Sequence, residues 1–309
     1  GEGDRPSVAR LGVRSALATA QAAGVRYNQG TLTTYSTSLS HPGRQRVRRI
    51  NDQGPVFYQF EQWAASDRLV HGVFTRLGGV SRAPWDSLNL GGTVGDDLAA
   101  VRENHRRAYA ALGLDETHAC TVWQVHSADT VLARGPVPNR RWLARADGLV
   151  TERPGLALTM RFADCAPILL YDPARHVLGL AHAGWRGTVL GAGVSALQTM
   201  TNAFGTRPAD VQAAIGPSIG PQRYQVGEEV VAAVAEAFGG TDGLIHRADD
   251  GSAYLDLWAA NRLALQRAGV TQIEVAGLCT ATRTDEFYSH RAERGRTGRF
   301  GVIAALNGS

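Results

Sequence analysis

The sequence contains no lysine: all 32 basic side chains among its 309 residues are arginine. This absence excludes Schiff-base chemistry, a P-loop lysine and a lysine general base. Arginine is the basic side chain that remains for binding phosphate, and its planar guanidinium can donate two parallel hydrogen bonds to it.

Acidic residues are absent between Val8 and Arg49, a stretch that holds seven of the arginines. The formal net charge is only +4, so the rest of the chain is slightly acidic and a nucleic-acid groove is not expected. The acid-free, arginine- and serine-containing stretch has the composition of a transit peptide, but a variable extension is the simpler interpretation. We therefore predict a variable extension over residues 1–53, which can be disordered, and a catalytic domain over 54–309.

Cysteine is scarce, with three residues, and no apolar run is long enough to cross a bilayer. An odd, small number of cysteines does not build a disulfide framework, which favours a reducing, cytoplasmic compartment. We expect no membrane partner. The length suits one large core.

Short apolar runs alternate with alanine-rich helical stretches, which predicts an α+β fold: a single domain with a mixed β-sheet core flanked by helices. The first strand is expected at Val56–Phe60, and Asp97 and Asp256 stand where helix N-caps are expected. Helices are predicted at 97–112, 188–204, 228–238 and 256–268, and further strands at 70–74, 119–124, 148–150, 157–159, 168–171, 177–182, 211–215, 273–276 and 300–304.

Three metal-capable side chains lie at strands or strand ends: His126 in WQVHSAD, Cys165 in RFADCAPILLYD and His182 in GLAHAGWRGT. Two imidazoles and one thiolate suit a catalytic zinc with an open fourth position. The same set in a trigonal arrangement suits copper. A metal-free Cys165 nucleophile with His182 as its base is the third alternative.

A series of motifs resembles the laccase-domain family, also called the multicopper polyphenol oxidase or purine nucleoside phosphorylase family. The motifs follow family order over about three quarters of the chain: HGVFTRLGGVS, SLNLG, VRENHR, WQVHS, ADGLV, ADCAP, AHAGWRG, IGPSIGP, LDLWAANR, CT, FYSHR and GRFGVI. One departure is Gln225, where the family usually has a glutamate, so this position offers no carboxylate.

The resemblance implies zinc bound by His126, Cys165 and His182, and a fold similar to the necrotising-factor-like deamidases. It also implies phosphorolysis of adenosine, inosine, guanosine or methylthioadenosine, together with deamination of adenosine. The expected partners are then a nucleoside and phosphate. Editing of cell-wall precursors, proposed for some relatives, is not fixed by the sequence.

Further site residues are assigned by their position near motif centres. Asp164 is the candidate proton carrier, because no His-x-Glu motif of the zinc deaminases is present; a structural role is the alternative. Arg76, Arg161 and Arg186 are candidate phosphate ligands, for which surface ion pairs are the simpler interpretation. Asn89 is a candidate for a hydrogen bond to sugar or base, although asparagine in a turn ordinarily serves its own backbone.

A copper-dependent polyphenol oxidase is the alternative function. Nine histidines and no His-x-His pair leave room for a mononuclear copper site only, since multicopper centres need many histidine ligands. The oligomeric state is not indicated by the sequence.

Overall fold

The computed structural model describes residues 47–50, 54–137 and 141–308. In these residues it has five α-helices: α1 (Leu98–Ala111), α2 (Trp185–Val189), α3 (Ala192–Phe204), α4 (Glu228–Phe238) and α5 (Leu257–Arg267). Its strands are β1 (Val47–Ile50), β2 (Phe57–Phe60), β3 (Leu69–Phe74), β4 (Ala119–Thr121), β5 (Thr130–Leu132), β6 (Gly148–Thr151), β7 (Ala157–Phe162), β8 (Ala166–Asp172), β9 (Val177–Ala183), β10 (Gln212–Ile215), β11 (Gln225–Val226), β12 (Ile245–Arg247), β13 (Ala253–Leu255), β14 (Gln272–Val275) and β15 (Phe300–Leu306).

Two six-stranded sheets carry the fold. The first has the order β1-β2-β3-β15-β7-β4 and the second β14-β10-β8-β9-β6-β5, with a small three-stranded sheet β11-β13-β12 beside them. Most pairs are antiparallel, whereas β4–β7, β5–β6 and β10–β14 are parallel. The predicted α+β class with a mixed sheet is therefore confirmed, and the one sheet core is in fact two sheets.

The main core lies between the two sheets. Met160 and Phe162 of β7 belong to the same buried cluster as Leu169 of β8 and Leu180 of β9. Alternate residues of a strand point to opposite faces, so Arg161 of β7 points away from this core.

Helices cover the outer faces. In α3, Ala196 and Met200 pack with Ile168 and Ala181 of the second sheet. Tyr109 of α1 packs in the cluster on the other face of the first sheet. The apolar faces of both helices therefore pack against the sheets, as the sequence pattern predicts.

The predicted helix starts are confirmed at two positions. Asp97 accepts a hydrogen bond from the amide of Ala99, and Asp256 accepts one from the amide of Ala259. The predicted helix at 188–204 is wrong in extent, because Gly191 adopts a left-handed φ of 77° and separates α2 from α3.

The first strand lies upstream of the expected boundary at residue 54. β1 pairs antiparallel with β2, and Arg49 donates to the Glu286 carboxylate at 2.7 Å. The strand has four residues, and its two consecutive exposed arginines break the alternation by which a strand is recognised in the sequence. Residues 1–46 and 51–53 of the predicted extension lie outside the described residues.

Across the described segments, no helix combines the length and the apolar character that crossing a membrane would require.

We expect Val47→Asp to lower the free energy of unfolding by about 1–3 kcal/mol, because Val47 packs in the main core and an aspartate there is buried or detaches β1. The matched control is Arg48→Asp, at the exposed neighbouring position of the same strand. Thermal and urea unfolding measure both. If both variants unfold at the temperature and urea concentration of the parent protein, β1 contributes nothing to the stability of the fold.

Candidate metal centre and active site

The structure brings His126, Cys165 and His182 together. One ligand atom from each side chain lies within 4.8 Å of the other two, and the two imidazole ring centres are 5.0 Å apart. His126 follows β4, Cys165 lies between β7 and β8, and His182 belongs to β9. The cluster therefore sits where the chain passes from one sheet to the other.

The backbone around the cluster is unusual at two residues and closely packed at a third. His126 and Asp164 have left-handed φ values of 61° and 83°, which non-glycine residues adopt rarely and often at functional sites. A Cβ on Gly184 would lie 2.7 Å from the Cys165 sulfur. Only glycine at this position allows the helix α2 to begin so close to the thiol.

Asp147 organises two of the three side chains, and sequence reasoning missed it. Its Oδ1 accepts from His182 Nδ1 at 2.8 Å. Its Oδ2 accepts from the amides of Val125 and Ser127, the neighbours of His126, at 3.1 and 2.6 Å. The carboxylate is fully buried. The signal available in the sequence was its place in the ADGLV motif.

Burial and charge act against each other at the cluster. Burial by itself would raise the pKa of the Cys165 thiol, but the charge of His182 and hydrogen bonds from His126 and His182 outweigh it and lower the pKa. Burial would lower the pKa of His182, yet Cys165 and Asp147 raise it above its ordinary value. The thiol is thus poised to ionise, as a metal ligand or a nucleophile requires.

The donor set fits a zinc ion. Around a tetrahedral zinc ion, nitrogen and sulfur ligand atoms stand about 3.5 Å apart. The ligand atoms of the three side chains lie within 4.8 Å of one another, so a small contraction would bring them to that spacing. Because His182 Nδ1 is engaged by Asp147, its Nε2 is left for a metal, as in carboxylate–histidine–zinc sites. Three protein ligands leave a fourth position for water or substrate.

Asp164 adjoins the cluster and is 8% exposed. Its Oδ1 accepts from the Thr280 hydroxyl and its Oδ2 from the Arg291 amide, both at 2.7 Å. The carboxylate therefore fastens the segment 280–291 to the strand end that carries Cys165.

The cluster opens into a cleft of about 1290 Å³. Its walls include Trp123, Trp142, Trp185 and Tyr224, with Trp142 45% exposed. The cationic residues that line it are Arg102, Arg161, Arg186, Arg291 and Arg299. A cleft with aromatic walls and several guanidinium groups suits a ligand that joins an aromatic ring to an anion.

Two of the predicted arginine ligands line this cleft and one does not. Arg161 and Arg186 face it, and the Arg186 guanidinium lies 4.7 Å from the Trp185 ring centre. Arg76 lies outside it, with Asp86, Glu293 and the Tyr288 ring as partners. Since these groups already engage its guanidinium, we no longer assign phosphate to Arg76.

Asn89 is also outside the cleft lining and is completely buried. Its Oδ1 accepts from the amides of Gly91 and Arg299 at 2.9 and 2.8 Å, and its amide group donates to Asp96. The predicted contact with sugar or base is replaced by a backbone role, which is the ordinary role of asparagine in a turn.

Comparison with known proteins agrees with this geometry. The model of the multi-copper polyphenol oxidoreductase laccase family matches residues 70–307. The chain belongs to this family. The resemblance predicted from the motifs is thereby confirmed.

Relatives within the laccase family are similar over most of their length. A protein of Deinococcus radiodurans named purine nucleoside phosphorylase is 42% identical over 236 residues, which is 76% of this chain and 88% of the relative. The purine nucleoside phosphorylase YlmD of Bacillus subtilis is 35% identical over 261 residues, 79% of this chain and 92% of the relative.

Solved structures of the family have the same fold. The crystal structure of YlmD from Geobacillus stearothermophilus aligns with a TM-score of 0.80 at 33% identity, covering 86% of this chain and 100% of that one. A Bacillus licheniformis YfiH structure aligns with a TM-score of 0.78 at 33% identity, covering 85% and 100%.

We expect Asp147→Asn to weaken zinc binding by about 10–100-fold, because the amide cannot hold the His182 Nδ1–H as an ionised carboxylate does. A competition titration with a zinc chelator measures the affinity. The matched control is Asp172→Asn, another fully buried aspartate that accepts two backbone amides, from Ala174 and Arg175, far along β8. Equal zinc affinity in both variants would contradict a positioning role for Asp147.

Proposed function

We propose that the protein is a zinc-dependent purine nucleoside phosphorylase that also deaminates adenosine. The observation that carries the proposal is the His126–Cys165–His182 cluster in a cleft lined by aromatic and arginine side chains. The names of the relatives support the reaction class. Adenosine, inosine, guanosine and methylthioadenosine are the proposed substrates.

Bound zinc would supply a Lewis acid and would lower the pKa of a bound water. The chain's own residues do the rest. Arg186 stands next to Trp185 at the start of α2, where it can hold phosphate as a two-pronged donor. Arginine charge also stabilises the purine as it leaves with the electron pair of the glycosidic bond.

Asp164 is the proposed proton carrier for deamination. It lies directly beside Cys165 and lines the cleft. Its hydrogen bonds with Thr280 and Arg291 fix the carboxylate in place, so a proton acceptor of defined position lines the cleft.

The Cys165–His182–Asp147 series supports a second candidate, a metal-free cysteine hydrolase. The thiol has a lowered pKa, and His182 is oriented by a buried carboxylate, which is the arrangement of an activated nucleophile. A copper phenol oxidase gains less support, because the described residues form a single three-ligand group.

Two finer assignments complete the proposal. The three cysteines are unpaired in the structure, which supports a reducing, cytoplasmic compartment. The proposed likeness to necrotising-factor-like deamidases rests on the α+β class and the resemblance of the motifs.

We expect about one zinc per chain and phosphate-dependent release of hypoxanthine from inosine, with ribose 1-phosphate as the second product. Elemental analysis and product analysis with and without phosphate measure this. Cys165→Ser and His182→Ala should lose both zinc and turnover. Full turnover after zinc removal, or phenol oxidation that needs copper and no phosphate, would reject the proposal.

Arg186→Ala should weaken phosphate use while zinc stays bound, because Arg186 is not a ligand of the cluster. Loss of a charge-assisted hydrogen bond costs about 1.5–3 kcal/mol, or one to two orders of magnitude in kcat/KM. Steady-state kinetics with varied phosphate measures the loss, and zinc content serves as the control. Unchanged kinetics would move the phosphate ligand to another arginine of the cleft.

A further inference from the structure

Arg161 lies in β7, and Arg299 directly precedes β15, the strand that pairs with β7. Gly301 of β15 is the partner of Arg161 in β7. Arg299 stands two residues before Gly301, and continued alternation of side chains along the extended chain favours the same face for it as for Arg161. Both line the cleft.

Carbonyl oxygens, rather than carboxylates, anchor the two guanidinium groups. Arg161 Nη2 donates to the carbonyl of Val122 at 3.1 Å. Arg299 Nη1 donates to the carbonyls of Thr297 and Gly298 at 3.2 and 2.8 Å. A carbonyl orients a guanidinium but does not neutralise it, and a guanidinium has five N–H donors, so others remain on each side chain.

Both side chains are half-buried, where positive charge is costly. Burial lowers the pKa of Arg161. It also lowers the pKa of Arg299, against the opposing charges of Cys165 and Asp164. Two guanidinium groups that line one cleft in this setting are stabilised by an anion that both can contact.

The surrounding chain holds the pair in place. The Gln124 side chain accepts from the Arg161 amide and donates to the Arg161 carbonyl, at 2.9 and 2.8 Å. The buried Asn89 accepts from the Arg299 amide. A Cβ on Gly91 would lie 2.8 Å from Arg299 Cγ, so the missing side chain at Gly91 makes room for the arginine.

We propose that Arg161 and Arg299 form an anion subsite for a phosphoryl group, on the face of the first sheet that α1 covers. This subsite does not include Arg186, which stands at the start of α2 and lines the same cleft. The subsite rests on the proposed function only for the identity of the bound group, which is either free phosphate or a phosphate ester carried by the nucleoside.

Binding without turnover tests the subsite. The probes are inorganic phosphate, inosine and inosine 5′-monophosphate, each titrated alone and calorimetrically into the zinc-loaded full chain, so that inosine has no phosphate to react with. Arg161→Gln and Arg299→Gln should each weaken binding of phosphate or of the monophosphate at least about tenfold, with inosine affinity unchanged. Loss with inorganic phosphate identifies the co-substrate as the occupant, and loss with the monophosphate alone identifies an ester.

The matched control is Arg267→Gln. Arg267 also donates to a carbonyl, that of Phe238, and stacks on its ring, but it lies outside the cleft. The Arg267→Gln variant should bind all three probes as the parent protein does. Thermal unfolding of each variant without ligand separates a folding defect from a binding defect, and Arg161→Lys and Arg299→Lys, which keep the charge, should recover part of the affinity.

Unchanged affinity for both phosphate and the monophosphate in folded Gln variants would overturn the subsite. The proposed function fails differently, by the absence of phosphate-dependent cleavage in the zinc-loaded parent protein. The two results are therefore distinguishable.

Discussion

The short crossing between β7 and β8 is the constraint on which the site depends. These strands belong to different sheets, and residues 163–165 alone join them. The reversal requires the left-handed φ of Asp164 and leaves Cys165 at the start of a fully buried strand. The Asp164 carboxylate satisfies Thr280 and the Arg291 amide at the same place. One tight connection thus aligns the two sheets, positions the thiol and attaches the segment that carries Arg291.

A second carboxylate completes the centre from the opposite side. Asp147, at the start of β6, binds His182 and the amides on both sides of His126. A buried carboxylate is stable only when its oxygens are satisfied, and here the groups that satisfy it belong to the two imidazole-bearing segments. Stability and site geometry therefore have the same physical origin. This explains how ligands far apart in the sequence meet without a compact metal-binding motif.

The sequence predicted the strands beside Cys165 and His182, because long apolar runs mark β8 and β9 clearly. The strand predicted at 119–124 ends at Thr121, so His126 lies in the loop that follows it. It did not predict Asp147, since an aspartate before a strand has the same pattern whether it faces solvent or an imidazole. Arg76 and Asn89 were assigned from motif position alone, which cannot show that their partners, Glu293 and Arg299, come from the far end of the chain. The division into two sheets was likewise hidden, because period-two alternation specifies a buried face without saying which sheet covers it.

The absence of lysine and the organisation of the cleft are connected. An ammonium group is a compact point charge. A planar guanidinium can donate from one edge to a protein group and keep the N–H donors of another edge for a ligand. Arg291 shows the principle: Nη1 donates to the Gln225 carbonyl and the guanidinium stacks on Tyr224, which leaves further donors for the cleft. Arg161 and Arg299 repeat it with backbone carbonyls. Held in this way, a guanidinium stays oriented and keeps unused donors, so the cleft is prepared for an anion before the anion arrives.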